Sequence, residues 1–390
     1  MPELARHAVV VGGGIGGLTA ALALHRRGWR VTVCERADGP AVLGAGIVLA
    51  PNALHALETI GFDLADAAGA AVPAAIGGLR RPDGRRLTRA ATAAAAARYG
   101  RPPLALHRST LAASLAAALP EGALVYGSAV TAVEETRGRA VVRTCAGDLG
   151  ADVVVAADGI HSTLRRRHFP DHPGLHHSGE TAWRTVLPGG AVTEACETWG
   201  RGERFGTVPL ADGRVYLYAT AVVPRGYRPA DVRAELLRRY GAWHDPIPAL
   251  LDGIDPAAVL QHDLYDLAAP LPRLHDGRIG WIGDAAHAMT PNLGQGGCQA
   301  IEDAVVLAHL LERADRAGVP AALAAYTRAR LTRTDVLRVR SRRAGRVASL
   351  SHPLAVAARD LAIRATPARA TRRAVDDLFG GFALPARPPA

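Results

Sequence analysis

A glycine-rich turn between an apolar segment and a helical segment places the strongest constraint on the fold. The segment HAVVV (residues 7–11) predicts a short buried strand, and IGGLTAALALHRRG (15–28) has helical periodicity. Gly12, Gly14 and Gly17 form a GxGxxG motif across this junction. In this pattern the first glycine allows the tight turn, the second lets the backbone approach a pyrophosphate, and the third lets the helix pack closely on the strand.

The residues that follow the turn strengthen this interpretation. Ile15 opens the helix, whose free N–H groups and positive dipole end can bind phosphates. The segment RVTVCER (30–36) predicts a second strand, and Glu35 near its end lies 21 residues beyond Gly14. A carboxylate at this place can accept hydrogen bonds from ribose hydroxyls. The strand, helix and acidic residue together predict a dinucleotide-binding unit of the parallel type.

The pattern changes twice further along the chain. Between about 176 and 268, short segments with period-two alternation and aromatic residues predict an antiparallel sheet. From 277 onward a buried strand is again followed by a helix, at 296–314, and mostly helical sequence runs to about 378. The predicted fold is α/β: a Rossmann-like nucleotide-binding domain with an inserted antiparallel-sheet substrate domain and a C-terminal helical segment. The predicted divisions are 1–175 (first part of the nucleotide-binding domain, with a small inserted segment at 62–106), 176–270 (substrate domain), 271–330 (second part of the nucleotide-binding domain) and 331–390 (helical segment).

Two local predictions lie within the first division. The segment 43–61 indicates a glycine turn followed by a helix. The segment 107–122 indicates a helix capped by Ser109 or Thr110 and ended by Pro120.

Composition excludes several other classes of protein. The net charge of +10 invites a nucleic-acid-binding interpretation, but the chain has no lysine and no basic block with interleaved aromatic residues, so nucleic acid is not an expected partner. The arginines of 327–346 are interpreted as a solvated helix face. The four cysteines are scattered and indicate no metal site. Without a signal-like start or an apolar run of membrane-spanning length, a cytoplasmic protein is expected, as a monomer or a homodimer.

Two later motifs place an aspartate at the end of a predicted buried strand. In DVVVAADGIHSTLRR (152–166) this residue is Asp158, followed by Gly159, and it could serve a ligand or cap the next helix. In GWIGDAAHAMTPNLGQGGCQAIEDA (280–304) it is Asp284. A helix beginning at Gly296 or Gly297 would direct its positive end toward whatever lies beside Gly294.

These three motifs, in this order and spacing, resemble the single-component FAD-dependent aromatic hydroxylases, which include salicylate, para-hydroxybenzoate and FAD-dependent urate hydroxylases. The resemblance covers nearly the whole chain, and its most specific part is GDAAHAMTPNLGQGGCQAIEDA. The segment ETAWRTVL resembles the salicylate and urate hydroxylase branch. The resemblance implies that FAD is the cofactor. The residues it assigns to FAD are Gly12, Gly14, Ile15, Gly17, Glu35, Arg36, Arg108, Val130, Asp158, Gly159, Asp284, Gly294, Gln295, Gly296 and Gly297.

The resemblance also implies a reaction. NADH or NADPH would reduce the flavin, dioxygen would add at its C4a carbon, and the resulting hydroperoxide would hydroxylate an aromatic or heteroaromatic small molecule. The chain has no second GxGxxG motif for the nicotinamide nucleotide. Two alternatives stay open: a flavin-fold protein that binds a reactive intermediate without NAD(P)H turnover, and an epoxidase or drug-modifying monooxygenase on the same scaffold.

Residues outside the FAD motifs are weaker candidates for the substrate site. Arg204 and Tyr216 match an arginine and a tyrosine that, in urate hydroxylase, orient the substrate and assist its deprotonation; the alternative is that both lie on the sheet surface. Arg184 could face the substrate or pair on the sheet, and Pro291 would wall the catalytic site. For His287 a structural role is favoured over a catalytic one. For Cys298 a packing role is favoured over a redox role.

Overall fold

The computed structural model describes residues 6–40, 45–64, 72–73, 76–88, 98–136, 138–189, 192–210 and 212–387. Within these ranges the strands are β1 His7–Val11, β2 Arg30–Cys34, β3 Gly46–Leu49, β4 Val72–Pro73, β5 Ile76–Arg80, β6 Leu104–His107, β7 Leu124–Val125, β8 Val130–Thr136, β9 Arg139–Thr144, β10 Gly147–Ala151, β11 Val153–Ala156, β12 Leu175–Leu187, β13 Ala195–Trp199, β14 Glu203–Pro209, β15 Val215–Val222, β16 Leu260–Leu267, β17 His275–Asp276 and β18 Ile279–Trp281.

The α-helices in the same ranges are α1 Ile15–His25, α2 Pro51–Thr59, α3 Arg108–Ala117, α4 Thr163–His168, α5 Val232–Tyr240, α6 Ile247–Asp252, α7 Asp284–His287, α8 Gly296–Leu311, α9 Val319–Ala348, α10 Pro353–Ala365 and α11 Ala368–Phe379. Short 3₁₀ turns span Pro256–Ala258 and Pro291–Leu293. No helix of the described residues is long and apolar enough to cross a membrane.

The first large sheet is parallel except at one edge, with the strand order β17-β18-β11-β1-β2-β7. Strand β1 lies between β2 and β11, and all three run parallel. Every residue of β1 and of β11 is buried, because helices cover both faces of such a sheet. Strand β18 joins this sheet beside β11 although more than a hundred residues separate the two in sequence. The α/β fold with an antiparallel excursion is therefore present as predicted, whereas the division boundaries at 175, 270 and 330 stay predictions.

The second large sheet has the order β16-β12-β15-β14-β13-β5 and is antiparallel except where β5 joins β13. On one face Trp183, Phe205 and Leu217 pack against α5 and α6 through a separate apolar core. On the other face Val208 and Tyr216 pack toward Ala105 of β6. This second face looks toward the nucleotide-binding lobe and therefore positions the candidate substrate residues.

Three local expectations differ from the structure. Residues 46–49 of the expected glycine turn form strand β3, which pairs with β6, while residues 41–44 lie outside the described part. Helix α3 is capped by His107 and not by Ser109 or Thr110, because the His107 ring accepts the Ser109 N–H. The sequence places 62–106 within the nucleotide-binding domain as a small inserted segment. Strand β5 of this segment instead extends the antiparallel sheet.

The arginines of 327–346 are a solvated face only in part: Arg328, Arg340, Arg343 and Arg346 are exposed, whereas the prediction is wrong for Arg330 and Arg338. Arg330 and Arg338 are 3% and 4% exposed, respectively. Arg330 pairs with Glu302 and Asp303 of α8, and Arg338 donates to the Leu267 carbonyl. Burial of Arg330 is compensated because α8 brings buried carboxylates against α9, and burial of Arg338 is compensated by Asp335 and the Leu267 carbonyl.

Candidate active site

The three motif glycines differ in what surrounds them. Gly12 has a φ of +108°, and a Cβ there would overlap the carbonyl oxygen of Ala157 at the end of β11. A Cβ on Gly17 would overlap the carbonyl oxygen of Gly12, so α1 packs directly on the turn. A Cβ on Gly14 would meet nothing within 4 Å, and Gly14 is exposed. The turn therefore forms a cradle that is closed at its base and open at Gly14, where the N-terminus of α1 has no side-chain cap.

Glu35 lies beside this cradle at the end of β2. Its Oε2 accepts the Gly13 N–H at 2.6 Å, and its Oε1 accepts the Ala37 N–H at 2.8 Å. The carboxylate is thus held in place by backbone donors while remaining partly exposed. Arg36 is exposed next to it, and Val130 begins β8 close by, because the preceding Ser128 donates its N–H to the Glu35 carbonyl at 2.8 Å.

Asp158 follows β11 on the opposite side of the cradle. Its Oδ2 accepts the N–H groups of Thr163 and Leu164 at 2.9 and 3.2 Å, so the side chain does help to cap α4. Its Oδ1 is buried and has no hydrogen-bond partner among the described residues. Gly159 has a φ of +76° and open space beside it. The structure therefore supports the capping role and leaves one carboxylate oxygen available to a ligand.

Asp284 stands out among its neighbours. It is exposed, while residues 281–283 and 285–290 are buried. Arg165, which the sequence analysis did not single out, is buried and donates to the carbonyl oxygens of Asp284 and Ala285 at 3.2 and 2.9 Å. An arginine within the second motif thus fixes the backbone of the third motif, leaving the Asp284 carboxylate directed to open space.

The N-terminus of α8 lies next to Asp284. A Cβ on Gly296 would lie 3.9 Å from the Asp284 Oδ1, and a Cβ on Gly297 would lie 3.0 Å from Ile47 of β3. Gly294 has a φ of +63° and is exposed, as is Pro291 at the start of the preceding 3₁₀ turn. The helix has no side-chain cap, so its first N–H groups and positive dipole end remain available to an anionic group.

A buried polar network, which the sequence did not predict, packs against this helix. Gln295 accepts hydrogen bonds from Asn52 and Gln299 at 3.1 Å each, and its own Nε2 has no partner among the described residues. Asn52 also donates to Glu302 at 2.6 Å. Arg330 then links Glu302 and Gln299 from α9. The run of Gln, Glu and Asp in the helix sequence is the signal that would have indicated buried polar partners.

His287 and Cys298 have the structural surroundings that the sequence interpretation favoured. His287 is buried and hydrogen-bonds Asp303 at 2.5 Å, and the same carboxylate oxygen accepts the Gly283 N–H at 3.0 Å. Burial raises the pKa of the Cys298 thiol to about 12, so the sulfur remains protonated. In the described residues no cluster of His, Cys, Asp or Glu is arranged to hold a metal ion.

Tyr216 and Arg184 lie together on the face of the antiparallel sheet that is turned to β3. The Tyr216 ring packs on Gly46, where an added Cβ would lie 2.5 Å from the ring. Burial raises the pKa of Tyr216, although Arg184, which hydrogen-bonds it, and the nearby Arg108 oppose the rise. The phenol therefore stays protonated at neutral pH. Arg108 itself is exposed at the start of α3.

Arg204 connects this sheet to the turn before α8. Its Nη1 donates to Asn292 Oδ1 at 2.6 Å, and Asn292 directly follows Pro291. Its Nη2 donates to Glu180 at 2.9 Å and its Nε to Thr220 at 3.0 Å. The side chain is 4% exposed. The structure thus brings Arg204 to the predicted catalytic region, but as a buried and fully engaged group.

The residues present fit a bound FAD. The open glycine cradle, the oriented Glu35, the unpartnered Asp158 oxygen and the exposed Asp284 all lie at the carboxyl ends of adjacent parallel strands. That edge is where open α/β sheets bind nucleotides. Two uncapped helix N-termini face the same region, which suits the negative charge of a pyrophosphate and of a reduced flavin.

Comparison with known proteins agrees with this geometry. Residues 6–339 match the family described as FAD binding domain. The chain is 37% identical to the aurachin C monooxygenase/isomerase of Stigmatella aurantiaca over 361 residues, covering 91% of this chain and 93% of the relative. This chain belongs to the family of FAD-dependent monooxygenases.

Two further relatives of this flavoprotein bear on its chemistry. The 2-heptyl-3-hydroxy-4(1H)-quinolone synthase of Pseudomonas aeruginosa is 34% identical over 382 residues, covering 96% of this chain and 97% of the relative. The crystal structure of Klebsiella pneumoniae HpxO with FAD and uric acid superimposes with a TM-score of 0.88 at 27% identity, covering 96% of each chain. The predicted family, fold class and FAD cofactor are confirmed, while the roles assigned to individual residues stay predictions.

Proposed function

We propose that this protein is an NAD(P)H- and dioxygen-dependent monooxygenase that hydroxylates an aromatic or heteroaromatic small molecule. The observation that carries the proposal is the Arg204–Asn292 hydrogen bond, which holds the polar face of the antiparallel sheet against the turn that leads into α8. A substrate on that face would lie beside the helix N-terminus assigned to the flavin. The heteroaromatic compounds named with two relatives, a 4-quinolone and uric acid, support this class of substrate.

The chain's own residues have distinct tasks in this proposal. The cradle at Gly14 and the N-terminus of α1 would bind the pyrophosphate, Glu35 would accept hydrogen bonds from the ribose hydroxyls, and Asp284 would hold the ribityl–pyrophosphate region. FAD bound there would supply the redox chemistry, which is transfer of reducing equivalents from NAD(P)H to dioxygen. The N-terminus of α8 stabilises negative charge on the ring.

The substrate residues would act by orientation. Because the Tyr216 phenol is protonated, it positions a substrate as a hydrogen-bond donor and does not itself remove a proton at neutral pH. Arg184 lies beside it and can bind a substrate oxygen. Pro291 and the apolar residues around Val208 exclude water from this region.

The test is turnover with isotopic label. The FAD-loaded enzyme is supplied with NADH or NADPH and a panel of phenols, salicylates, purines and quinolones, and nucleotide oxidation is followed. A true substrate is expected to stimulate oxidation and to carry one atom from labelled dioxygen in its product. Absence of NAD(P)H oxidation with every compound, or label arriving only from water, would contradict the proposal.

A further inference from the structure

The sheet face turned to the flavin region carries balanced charges. Register places Arg184 opposite Tyr218, Arg204 opposite Thr220, and Glu197 opposite Gly206. Directly paired residues of antiparallel strands share a face, so these side chains lie on the face of Tyr216. Glu180, which bonds Arg204, lies on it too.

Arg204 does not offer a free positive charge to a substrate. Its Nη2 lies 2.9 Å from Glu180 and its Nη1 lies 3.7 Å from Glu197. Burial would lower the pKa of Arg204, but Glu197 and Glu180 outweigh it and raise the pKa above its ordinary value. One guanidinium therefore faces two carboxylates, and its charge is neutralised within the protein.

Glu197 is the carboxylate that remains accessible. Its side chain is 23% exposed, compared with 5% for Glu180. The Arg204 nitrogen that lies near Glu197 also donates to Asn292, so Glu197 lies next to the turn preceding α8. Tyr218 lies near the same carboxylate, which helps to raise the pKa of its hydroxyl. An ionised carboxylate only accepts hydrogen bonds, so its free positions require a donor.

On the sheet face itself the remaining groups add no positive surplus for an anion, and Arg108 of α3, which lies near Tyr216, is among the residues assigned to FAD. Arg184 and Arg204 balance Glu180 and Glu197, which gives this set a formal charge of zero. His262, opposite Ala182 on the same face, has a pKa lowered by burial and by Arg184, so it is neutral at pH 7. An anionic substrate placed against Glu197 would meet a like charge in a partly desolvated site.

We infer that the substrate is a neutral heteroaromatic molecule that donates a ring N–H or O–H to Glu197. This inference rests on the proposed function for the location of the site. Glu197 is a specificity-determining residue because it favours a neutral donor and disfavours a carboxylate or urate anion. Arg204 holds Glu197 and the turn in position.

The experiment measures binding to the oxidised, FAD-loaded enzyme without NAD(P)H, through the change in flavin absorbance on titration at pH 7.5. The probes are 4(1H)-quinolone, its 1-methyl derivative, which lacks the N–H, and salicylate as an anion. We expect 4(1H)-quinolone to bind at least about tenfold more tightly than either of the other two. Glu197→Gln is expected to reduce that preference about tenfold and to strengthen salicylate binding. Glu203→Gln is the control, because Glu203 lies on the opposite face and pairs with Arg239.

The inference is overturned if salicylate binds as tightly as 4(1H)-quinolone, or if the methylated probe binds equally well. These comparisons need only the unsubstituted enzyme, so they decide the matter even if Glu197→Gln fails to fold. Nucleotide oxidation separates the two proposals. Stimulation by salicylate but not by neutral donors would overturn the substrate class and leave the monooxygenase standing, whereas binding without any oxidation would count against the proposed function alone.

Discussion

At the scale of the residue, glycines of one motif serve different physical purposes. Gly17 has no room for a methyl group, because the carbonyl oxygen of Gly12 occupies that position. Gly14 has room for one in the structure, and the space beside it is open. Packing therefore explains the absence of a side chain at Gly17, whereas at Gly14 we propose that the space is kept for a ligand.

Substitution by alanine should separate these purposes. Gly17→Ala forces α1 away from the turn, and we expect the free energy of unfolding of the FAD-free protein to fall by about 1–3 kcal/mol. Gly14→Ala should change this free energy by less than about 1 kcal/mol, because its φ of −74° suits alanine, yet weaken FAD binding at least about tenfold. Urea unfolding and quenching of FAD fluorescence measure the two effects. Equal destabilisation by both substitutions, with FAD affinity unchanged in Gly14→Ala, would refute the assignment.

At the scale of the element, helices α8 and α9 are joined by buried ion pairs. Arg330 of α9 bonds Asp303 at 2.7 Å, and His287 bonds the same side chain. Burial alone would raise the pKa of Asp303, but His287 and Arg330 outweigh it and lower the pKa to about 2 from 3.8. Because its pKa is lower in the folded protein, this carboxylate stabilises the fold at a pH above its ordinary pKa. That contribution is lost as the pH falls from about 4 toward 2.

Arg330→Met tests this junction. Removing the guanidinium takes one charged partner from each of two buried carboxylates and leaves Asp303 with His287 and Glu302 with Arg333. We expect a loss of about 3–5 kcal/mol in the free energy of unfolding at pH 7. Arg340→Met on the same helix is the control, because its pair with Asp377 is exposed and should contribute about 0–1 kcal/mol. Urea unfolding is measured at pH 7 and at pH 4. Because Arg330 lowers the pKa of Asp303, its removal lets this carboxylate take up a proton at a higher pH, so the difference between the variants should be smaller at pH 4 than at pH 7. Similar losses for both variants would contradict a structural role for the buried pair.

At the scale of the whole molecule, the proposed active site lies where two sheets meet. In this proposal the ends of the parallel strands hold FAD, and the antiparallel sheet contributes Arg184, Arg204 and Tyr216. Their contact passes through the Arg204–Asn292 bond and through Tyr216 packed on Gly46. A substrate bound on the second sheet is oriented toward the flavin only if this contact is maintained.

Tyr216→Phe is the cleanest probe of that arrangement, because Arg204→Gln would also leave Glu180 without its ion pair. We expect normal FAD content, since no assigned FAD contact is touched, together with a lower product yield per NAD(P)H and more hydrogen peroxide. Tyr240→Phe serves as control, because its hydroxyl bonds the Thr220 carbonyl and its ring packs in the core on the other face of the same sheet. Coupling unchanged by Tyr216→Phe and equal to that of the control would show that Tyr216 only packs on the sheet.

Much of the nucleotide-binding lobe could be predicted from local sequence. The strand, turn and helix around Gly12, the acid at Glu35, and the aspartates Asp158 and Asp284 at strand ends are short-range patterns that backbone sterics and helix dipoles explain. The alternation between 176 and 268 likewise indicates a sheet because side chains of a strand point alternately to its two faces. In these places the constraint lies within a few residues.

Only the tertiary structure determines the partners of the charged residues. Arg330 and Arg338 have the spacing of a solvated helix face, yet they are buried, because α8 and the end of β16 supply carboxylates and a carbonyl oxygen from far along the chain. Arg204 matches a substrate-binding arginine, yet Glu180 and Glu197 neutralise it from two other strands. The free energy of a buried charge depends on which opposite charges the fold brings within a few ångströms. Those partners cannot be predicted from the spacing of residues along the chain.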